Sequence, residues 1–186
     1  MKKKALVLLM VAVWVLPILA ATMAGVTLPD SIEVNGQKLV LNGMALRKKV
    51  IFKVYVDGLY LPQKEKSADK IFKADTMRCN MMHFLRTVEA EKINQAWYEG
   101  LAANTPGHSA ELKAQFDKLA SWMEEMKSGD LQSFTYLPGQ GTEVKVKGKI
   151  KGVIPGKAFA DALFACWIGA KPGPGETFKN NLLGID

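Results

Sequence analysis

The first part of the chain alternates runs rich in β-branched and aromatic residues with short turn sequences, as antiparallel strands do. The run 31–41 contains Asn35-Gly36, which supplies the positive φ angles of a type I′ turn and predicts a hairpin. Asn42-Gly43 is predicted to end the second strand of that hairpin. The run from Lys49 to Leu61 predicts two strands or one sharply bent strand, with Asp57-Gly58 as a tight turn or a bulge.

The rest of the chain combines helical periodicity with further strand-like runs. Thr87 and Ser109 are residue types that cap helix N-termini, and each precedes apolar positions at helical spacing. The order of strands, helices, strands and helices, without regular βαβ alternation, favours an α+β domain with helices gathered on one face of an antiparallel sheet. The predicted elements are a short helix at 67–73, a central strand at 76–85, helices from Thr87 and Ser109, strands at 133–137 and 142–151, a helix at 157–168 and a short helix at 175–184.

The chain opens with the three parts of a secretory signal peptide: lysines, an apolar run from Ala5 to Leu19, and small residues. Thr22 and Ala24 fit positions −3 and −1 of a cleavage site, so we predict a signal peptide over 1–24 and a single domain over 25–186. Three of the lysines that contribute to the formal net charge of +7 lie in this leader. We expect the mature protein in the periplasm or secreted, without a stable membrane span, because no later segment is apolar enough.

Residue types that build covalent, metal or nucleic-acid sites are sparse in this chain. Export permits one disulfide, between Cys79 and Cys166, but both lie in apolar segments, so we expect buried thiols more than a bridge. His83 and His108 have no cysteine or carboxylate at ligand spacing, so no metal site is predicted. Lysines alternate along 145–151, which a solvated strand face explains better than binding of nucleic acid or anionic lipid does. We predict no cofactor and no nucleic-acid partner, and the oligomeric state stays open.

Arg47 and Tyr60 lie thirteen residues apart in the segment that the predicted bend folds back on itself. If the strands on either side of Asp57-Gly58 pair, the guanidinium and the phenol meet at one end of an apolar cavity. Such a pair suits a carboxylate, because arginine donates two hydrogen bonds to it and tyrosine adds a third. The alternative is an arginine in water at a strand end and a tyrosine packed by its ring.

Three sequence features together resemble the chalcone isomerase-like superfamily, in particular its exported bacterial branch. They are Gly43-x-x-Leu46-Arg47, the FKVYVDGLYL run that follows, and Gly156-x-x-Phe159-Ala160-x-Ala162-Leu163 leading to Trp167-Ile168-Gly169. The resemblance extends from about Val26 to Gly184. It implies an open-faced β-sandwich, in which a helical layer covers a large antiparallel sheet and a ligand cleft lies between them.

The superfamily contains both enzymes and fatty-acid-binding relatives, and this sequence differs from the enzymes. Chalcone isomerases close a flavanone ring with an arginine that holds the phenolate and with Thr, Tyr and Asn side chains that order water. The resemblance keeps the arginine as Arg47 but places Tyr55 at the Thr position, and Glu89 and Ala96 where the enzymes carry Tyr and Asn. It places Cys166 near a substrate-contacting Ser or Thr. We therefore assign no catalytic residue and lean against an enzyme.

The fatty-acid-binding relatives hold a carboxylate with an Arg and a Tyr, which Arg47 and Tyr60 match in identity and spacing. We predict an exported, non-catalytic protein that binds a fatty acid or similar amphipathic carboxylate in a cleft between sheet and helices. The predicted ligand-binding residues are Arg47, Tyr60, Tyr55, Trp97, Cys166 and Trp167. Two alternatives stay open: an envelope interaction protein with a closed cleft, and an isomerase or lyase acting on a phenolic or enone substrate.

Overall fold

A computed structural model describes residues 20–185, which form nine strands and five helices. The strands are β1 (Ala20–Met23), β2 (Val26–Pro29), β3 (Ser31–Val34), β4 (Gln37–Lys49), β5 (Phe52–Leu61), β6 (Arg78–Phe84), β7 (Leu131–Leu137), β8 (Gly141–Val146) and β9 (Lys149–Ile154). The helices are α1 (Ala68–Lys73), α2 (Ala90–Asn104), α3 (Ala110–Ser121), α4 (Lys157–Ile168) and α5 (Glu176–Leu183).

Strands β3 to β9 form one antiparallel sheet in which sequence neighbours are also spatial neighbours. The larger apolar core lies between this sheet and the helices, and it includes Ala45, Leu59 and Trp167. A second apolar cluster lies on the opposite face, where the β1–β2 hairpin supplies Val26 and Leu28. The predicted α+β class, with a helical layer on a large antiparallel sheet, is therefore confirmed.

Strand β4 does not end at Asn42-Gly43, as the turn-forming pair suggested, but continues to Lys49 with a bulge between Leu41 and Gly43. The buried Asn42 amide donates hydrogen bonds to the carbonyls of Leu182 (2.8 Å) and Glu65 (3.1 Å). A Cβ at Gly43 would lie 2.1 Å from the carbonyl oxygen of Asn181. These two residues therefore serve to attach α5 closely to β4, which is a long-range role that local turn preference does not reveal.

Strand β5 is likewise uninterrupted, so the predicted turn or bulge at Asp57-Gly58 is wrong. Gly58 pairs with Met44 and Met81 in the middle of the sheet. The chain reverses earlier, at Val50-Ile51, because Lys49 is the partner of Phe52. Side chains along β5 consequently alternate between the two faces without a break from Phe52 to Leu61.

Some of the other predicted helix and strand boundaries are confirmed, and others are wrong. The helix predicted at 157–168 is α4, and Ser109 caps α3 by accepting a hydrogen bond from the Leu112 N–H at 3.1 Å. The helix predicted to start at Thr87 begins later, with Glu89 at its N-cap position and no side-chain capping hydrogen bond. The strand predicted over 142–151 is two strands, β8 and β9, because Lys147-Gly148 forms a turn.

An ion pair links the sheet to the helical layer. The Arg78 side chain is 0% exposed, donates to Asp161 of α4 and lies with its guanidinium carbon 4.9 Å from the ring centroids of both Tyr136 and Phe164. Lys157 pairs with the same carboxylate at 2.6 Å. A buried arginine without its carboxylate is costly, so this contact fixes where α4 rests on β6.

The predicted signal peptide falls mainly on residues 1–19, which lie outside the described residues. Its last part forms β1, and the predicted cleavage site after Ala24 lies at the two-residue turn between β1 and β2. Cleavage at that bond would separate β1 from the domain.

Candidate functional site

A cavity of about 350 Å³ lies between the sheet and the helical layer. Strands β4 to β6 form its floor, and α2, α4 and the segment 171–174 form its walls. Its size is within the range of roughly 300–1,000 Å³ found for small-molecule sites. The apolar and aromatic lining residues are Val54, Tyr55, Met82, Phe84, Val88, Ile93, Ala96, Trp97, Gly100, Ala103, Cys166, Trp167, Gly173 and Pro174, and the polar ones are Arg47, Lys49, Lys92, Gln95, Glu99 and Lys171.

Arg47 contributes a guanidinium to this cavity. It lies directly opposite Tyr55 in the β4–β5 pairing, and residues opposite each other in an antiparallel pair share a face. Its Nη1 donates a 3.0 Å hydrogen bond to the carbonyl oxygen of Pro174. Within residues 20–185, no carboxylate forms an ion pair with it. The guanidinium is therefore oriented by a backbone group and keeps donors for an anion.

Charge around the cavity is predominantly positive. Lys49, Lys92 and Lys171 line it together with Arg47, whereas Glu99 is the acidic residue in the lining. Clustered cations of this kind raise the local concentration of an anion and favour its bound state. The lining thus suits a negatively charged group next to an apolar body.

Tyr55 adds a neutral hydroxyl group beside Arg47. Its ring packs against Phe84 and Phe178, with centroid distances of 5.7 and 5.9 Å. Burial raises the pKa of the Tyr55 phenol far above its ordinary value, and the nearby Asp57 carboxyl adds to the increase. Tyr55 therefore remains protonated at physiological pH and can act as a hydrogen-bond donor.

Two tryptophans form an aromatic wall. Trp97 of α2 and Trp167 of α4 meet edge to face with centroids 5.2 Å apart, and Trp97 also contacts Phe134 at 5.5 Å. The indole Nε1 of Trp97 is buried and has no hydrogen-bond partner in the described part of the chain. Buried donors normally have partners, so this group is a candidate contact for a bound acceptor.

Cys166 lies on the same wall, where α2 and α4 approach closely at Gly100. Its thiol donates to the Ala162 carbonyl at 3.6 Å, and burial raises its pKa to about 12. A thiol that stays protonated is a poor nucleophile. Cys79 lies in the cluster on the other face of the sheet, so both cysteines are free and buried rather than bridged.

Tyr60 does not reach the cavity, and the predicted pair of Arg47 and Tyr60 is not formed. Tyr60 is five residues from Tyr55 in an unbroken strand, so the two side chains lie on opposite faces. Its ring packs in the second cluster, and its hydroxyl donates to the Pro29 carbonyl at 2.9 Å. This tyrosine anchors the β1–β2 hairpin to the sheet.

Five of the six predicted site residues therefore line one cavity: Arg47, Tyr55, Trp97, Cys166 and Trp167. Sequence reasoning missed the lysines around its rim and the carbonyl of Pro174 that orients Arg47. The alternation along 52–61 contained the signal that separates Tyr55 from Tyr60, but only if the strand is taken as continuous. Glu89, which the resemblance placed at the position of the enzymes' tyrosine, is the N-cap residue of α2 and is not part of the lining, whereas Ala96 is.

In the described range 20–185, no group of three or more His, Cys, Asp and Glu side chains is arranged to hold a metal ion. None of the helices found there has both the length and the apolar character needed to cross a bilayer.

Comparison with known proteins agrees with this architecture. A crystal structure of a fatty-acid binding protein from Arabidopsis thaliana superimposes with a TM-score of 0.70 at 16% sequence identity, covering 88% of this chain and 95% of that one. At that identity the likeness concerns the fold. No curated protein sequence matches the chain. The sequence model of the family described as chalcone isomerase-like matches residues 20–184. The chain therefore belongs to the chalcone isomerase-like family.

Proposed function

We propose that this chain is an exported, non-catalytic protein that binds a fatty acid or a similar amphipathic carboxylate in the cavity between sheet and helices. The observation that carries the proposal is the Arg47 guanidinium, which is oriented by Pro174 at the edge of a largely apolar cavity. A carboxylate accepts paired hydrogen bonds from such a group. Tyr55 and the indole N–H of Trp97 are further donors for its oxygens.

The apolar part of the cavity binds the hydrocarbon chain of the ligand. Met82, Ile93, Trp97 and Trp167 are buried apolar residues of its lining. Each methylene buried there contributes roughly 0.8 kcal/mol, so eight methylenes contribute up to about 6 kcal/mol. The hydrocarbon chain supplies most of the affinity, and Arg47 selects an acid over an alcohol of equal length.

Binding fits the lining better than isomerisation does. Ala96 offers no hydrogen bond where the enzymes of the family carry an amide, and the Cys166 thiol stays protonated. The structural neighbour is named as a fatty-acid binding protein, which supports the same choice. If the chain were an interaction protein with a closed cleft, no void would lie beside Arg47. The cavity lined by Arg47 argues against this alternative. A chalcone whose absorbance decays faster with the protein than without it would instead favour the isomerase.

Export is part of the proposal and rests on the leader sequence. The intact mass of the protein accumulated by cells should match a chain beginning at Gly25, if cleavage follows Ala24. A mass that includes Ala20–Met23 would place the cleavage site upstream and leave β1 in the mature domain. A mass that includes the leader lysines, with the protein in the cytoplasm, would contradict export.

The decisive binding test compares dodecanoate with dodecanol by isothermal titration calorimetry. Arg47→Gln should weaken dodecanoate about 10–100-fold, the equivalent of losing a charge-assisted hydrogen bond, and leave dodecanol nearly unchanged. Lys38→Gln is the matched control, because it removes one charge from the exposed start of the same strand. Equal losses for both ligands, or no binding of either to the unaltered protein, would overturn the proposal.

A second pair of variants tests where the ligand lies. Ala103→Trp adds a large side chain at a half-buried position of the lining on α2 and should abolish binding of both ligands. Ala102→Trp adds the same side chain at an exposed position of α2 outside the lining and should leave both affinities unchanged. Retained binding in Ala103→Trp would place the ligand elsewhere.

A further inference from the structure

The turn between β4 and β5 presents three consecutive apolar side chains to solvent. Val50, Ile51 and Phe52 are 87%, 80% and 54% exposed, and we call these three residues the apolar tip. Isolated exposed apolar residues are common, but a contiguous exposed group marks an interaction site. The tip therefore needs a partner that the described chain does not supply.

Folding requirements do not explain these residues. The other two-residue hairpin turns in the described chain are Ala24-Gly25, Asn35-Gly36 and Lys147-Gly148, and both residues of each have positive φ. Glycine suits such turns, whereas Val50, at φ 58°, holds a β-branched side chain in the left-handed region that it rarely adopts. The turn is thus less favourable than an Asn-Gly turn would be, and its residues serve something other than chain reversal.

The charges beside the apolar tip are all positive. Lys48, Lys49 and Lys53 are exposed, the Arg86 guanidinium lies 4.5 Å from the Phe52 ring centroid, and residues 47–56 include no acid. None of these four cations forms an ion pair with a carboxylate of residues 20–185. By contrast, Lys145, Lys147 and Lys151 at the other edge of the sheet are all paired with acids. The basic group around the tip is available to an anionic partner.

The size and chemistry of this surface fit a lipid bilayer. Three side chains are too few for a stable protein interface, which buries roughly 1,200–2,000 Å² in total. An anionic bilayer, however, attracts lysines to its headgroups while apolar side chains enter the acyl boundary. Arg47 and Lys49 are within three residues of the tip and line the cavity, so this part of the cavity lining is close to the tip.

We propose that the apolar tip docks this protein on an anionic membrane, with Val50, Ile51 and Phe52 inserted and the surrounding lysines on the headgroups. Docked in this way, the cavity lies close to the bilayer from which an amphipathic acid is taken up or to which it is released. That role rests on the proposed function, but membrane docking does not, and it is measured separately.

The test is co-sedimentation with phosphatidylcholine vesicles, with and without phosphatidylglycerol, using the mature protein purified from cells. The unaltered protein should sediment with the anionic vesicles. The double variant Val50→Asn/Ile51→Gly should lose about tenfold or more in vesicle partitioning without losing thermal stability, because asparagine tolerates the positive φ of position 50 and glycine adopts the backbone angles of position 51 without strain. Lys48→Gln/Lys53→Gln should lose the preference for phosphatidylglycerol.

Matched controls separate the tip from general surface properties. Ile150→Ser removes an apolar side chain that is 61% exposed on β9, and Lys38→Gln removes a charge far from the tip, so both should sediment normally. Docking is overturned if Val50→Asn/Ile51→Gly sediments like the unaltered protein. It is also overturned if neutral vesicles bind equally well, or if the tip instead mediates self-association that this variant abolishes in ultracentrifugation.

The outcomes also distinguish docking from ligand binding. Val50→Asn/Ile51→Gly should bind dodecanoate in solution with unchanged affinity, and Arg47→Gln should still sediment with vesicles. Sedimentation without dodecanoate binding by the unaltered protein would leave docking intact and refute the proposed ligand. Dodecanoate binding without sedimentation would refute docking and leave the proposed ligand intact.

Discussion

Gly100 offers a quantitative test of how closely α2 and α4 pack behind the cavity. An alanine Cβ there would lie 2.5 Å from the Cys166 Sγ and 3.0 Å from its Cβ, whereas carbon atoms normally approach to about 3.5–4.0 Å. Two opposing effects act on Gly100→Ala. Replacing glycine inside a helix gains about 1 kcal/mol, and overpacking a core costs about 1–3 kcal/mol.

We expect the steric effect to be larger, because one of the two contacts is with a Cβ fixed to the α4 backbone. Gly100→Ala should reduce the free energy of unfolding by about 1–2 kcal/mol, which lowers Tm by about 2–8 °C in a domain of this size. Ala102→Gly, at an exposed position of the same helix, measures the propensity contribution separately and should cost about 1 kcal/mol.

Urea unfolding followed by tryptophan fluorescence measures these differences, and a double-mutant cycle attributes them. Combining Gly100→Ala with Cys166→Ala removes the sulfur from the 2.5 Å contact, so the pair should show a favourable coupling of about 1 kcal/mol or more. A stabilising Gly100→Ala, or a cycle with no coupling, would refute this account of the α2–α4 contact.

Two further substitutions test buried charges. Asp161→Asn leaves the buried Arg78 without its carboxylate and should lower the free energy of unfolding in urea by about 2–4 kcal/mol. The loss is smaller than for a fully buried pair because the Asp161 side chain is 31% exposed. The control Asp117→Asn, in an exposed ion pair, should leave Tm unchanged. Burial raises the pKa of Asp57 well above 3.8, so the folded protein keeps a proton that the unfolded chain releases, and stability falls as pH rises from there. Asp57→Asn, which retains the contact with Asn80, should flatten the decline of Tm as the pH rises above about 4, and an unchanged decline would contradict this assignment.

Elements with local signals were predictable from the sequence. Gly156 and Gly169 bracket an apolar helical run, and α4 occupies that run. Ser109 supplies a capping hydroxyl to the backbone that follows it, and α3 begins there. In both cases the deciding interactions lie within a few residues of one another, so they are visible without the rest of the fold.

The strand boundaries near the site were not predictable in this way, because glycine occurs both in turns and at close contacts between distant segments. Gly43 is required by the approach of α5, and a Cβ at Gly58 would lie 2.7 Å from the Cδ1 of Leu28. Both sites look like turns locally, yet they are close contacts with distant segments. The actual turn at Val50-Ile51 carries no turn residues at all.

The wrongly predicted turn at Asp57-Gly58 also determined which tyrosine the sequence analysis paired with Arg47. The family resemblance indicated the arginine and an Arg–Tyr pair, but the choice between Tyr55 and Tyr60 depended on whether β5 is continuous. A continuous strand places Tyr55 on the face of Arg47 and Tyr60 on the other. The residue types were thus visible in the sequence, whereas which tyrosine lies on the face of Arg47 depended on the strand register.

The hydrogen bond from Arg47 to the Pro174 carbonyl has a consequence for how such a site evolves. Every residue type provides a main-chain carbonyl, so substitutions at position 174 that preserve the path of the backbone would not remove the acceptor. The walls around the arginine, such as Ala96 and Ala103, are side chains and change freely in size. A lineage with this arrangement can therefore change the shape of the cavity by single mutations while keeping the backbone group that orients Arg47.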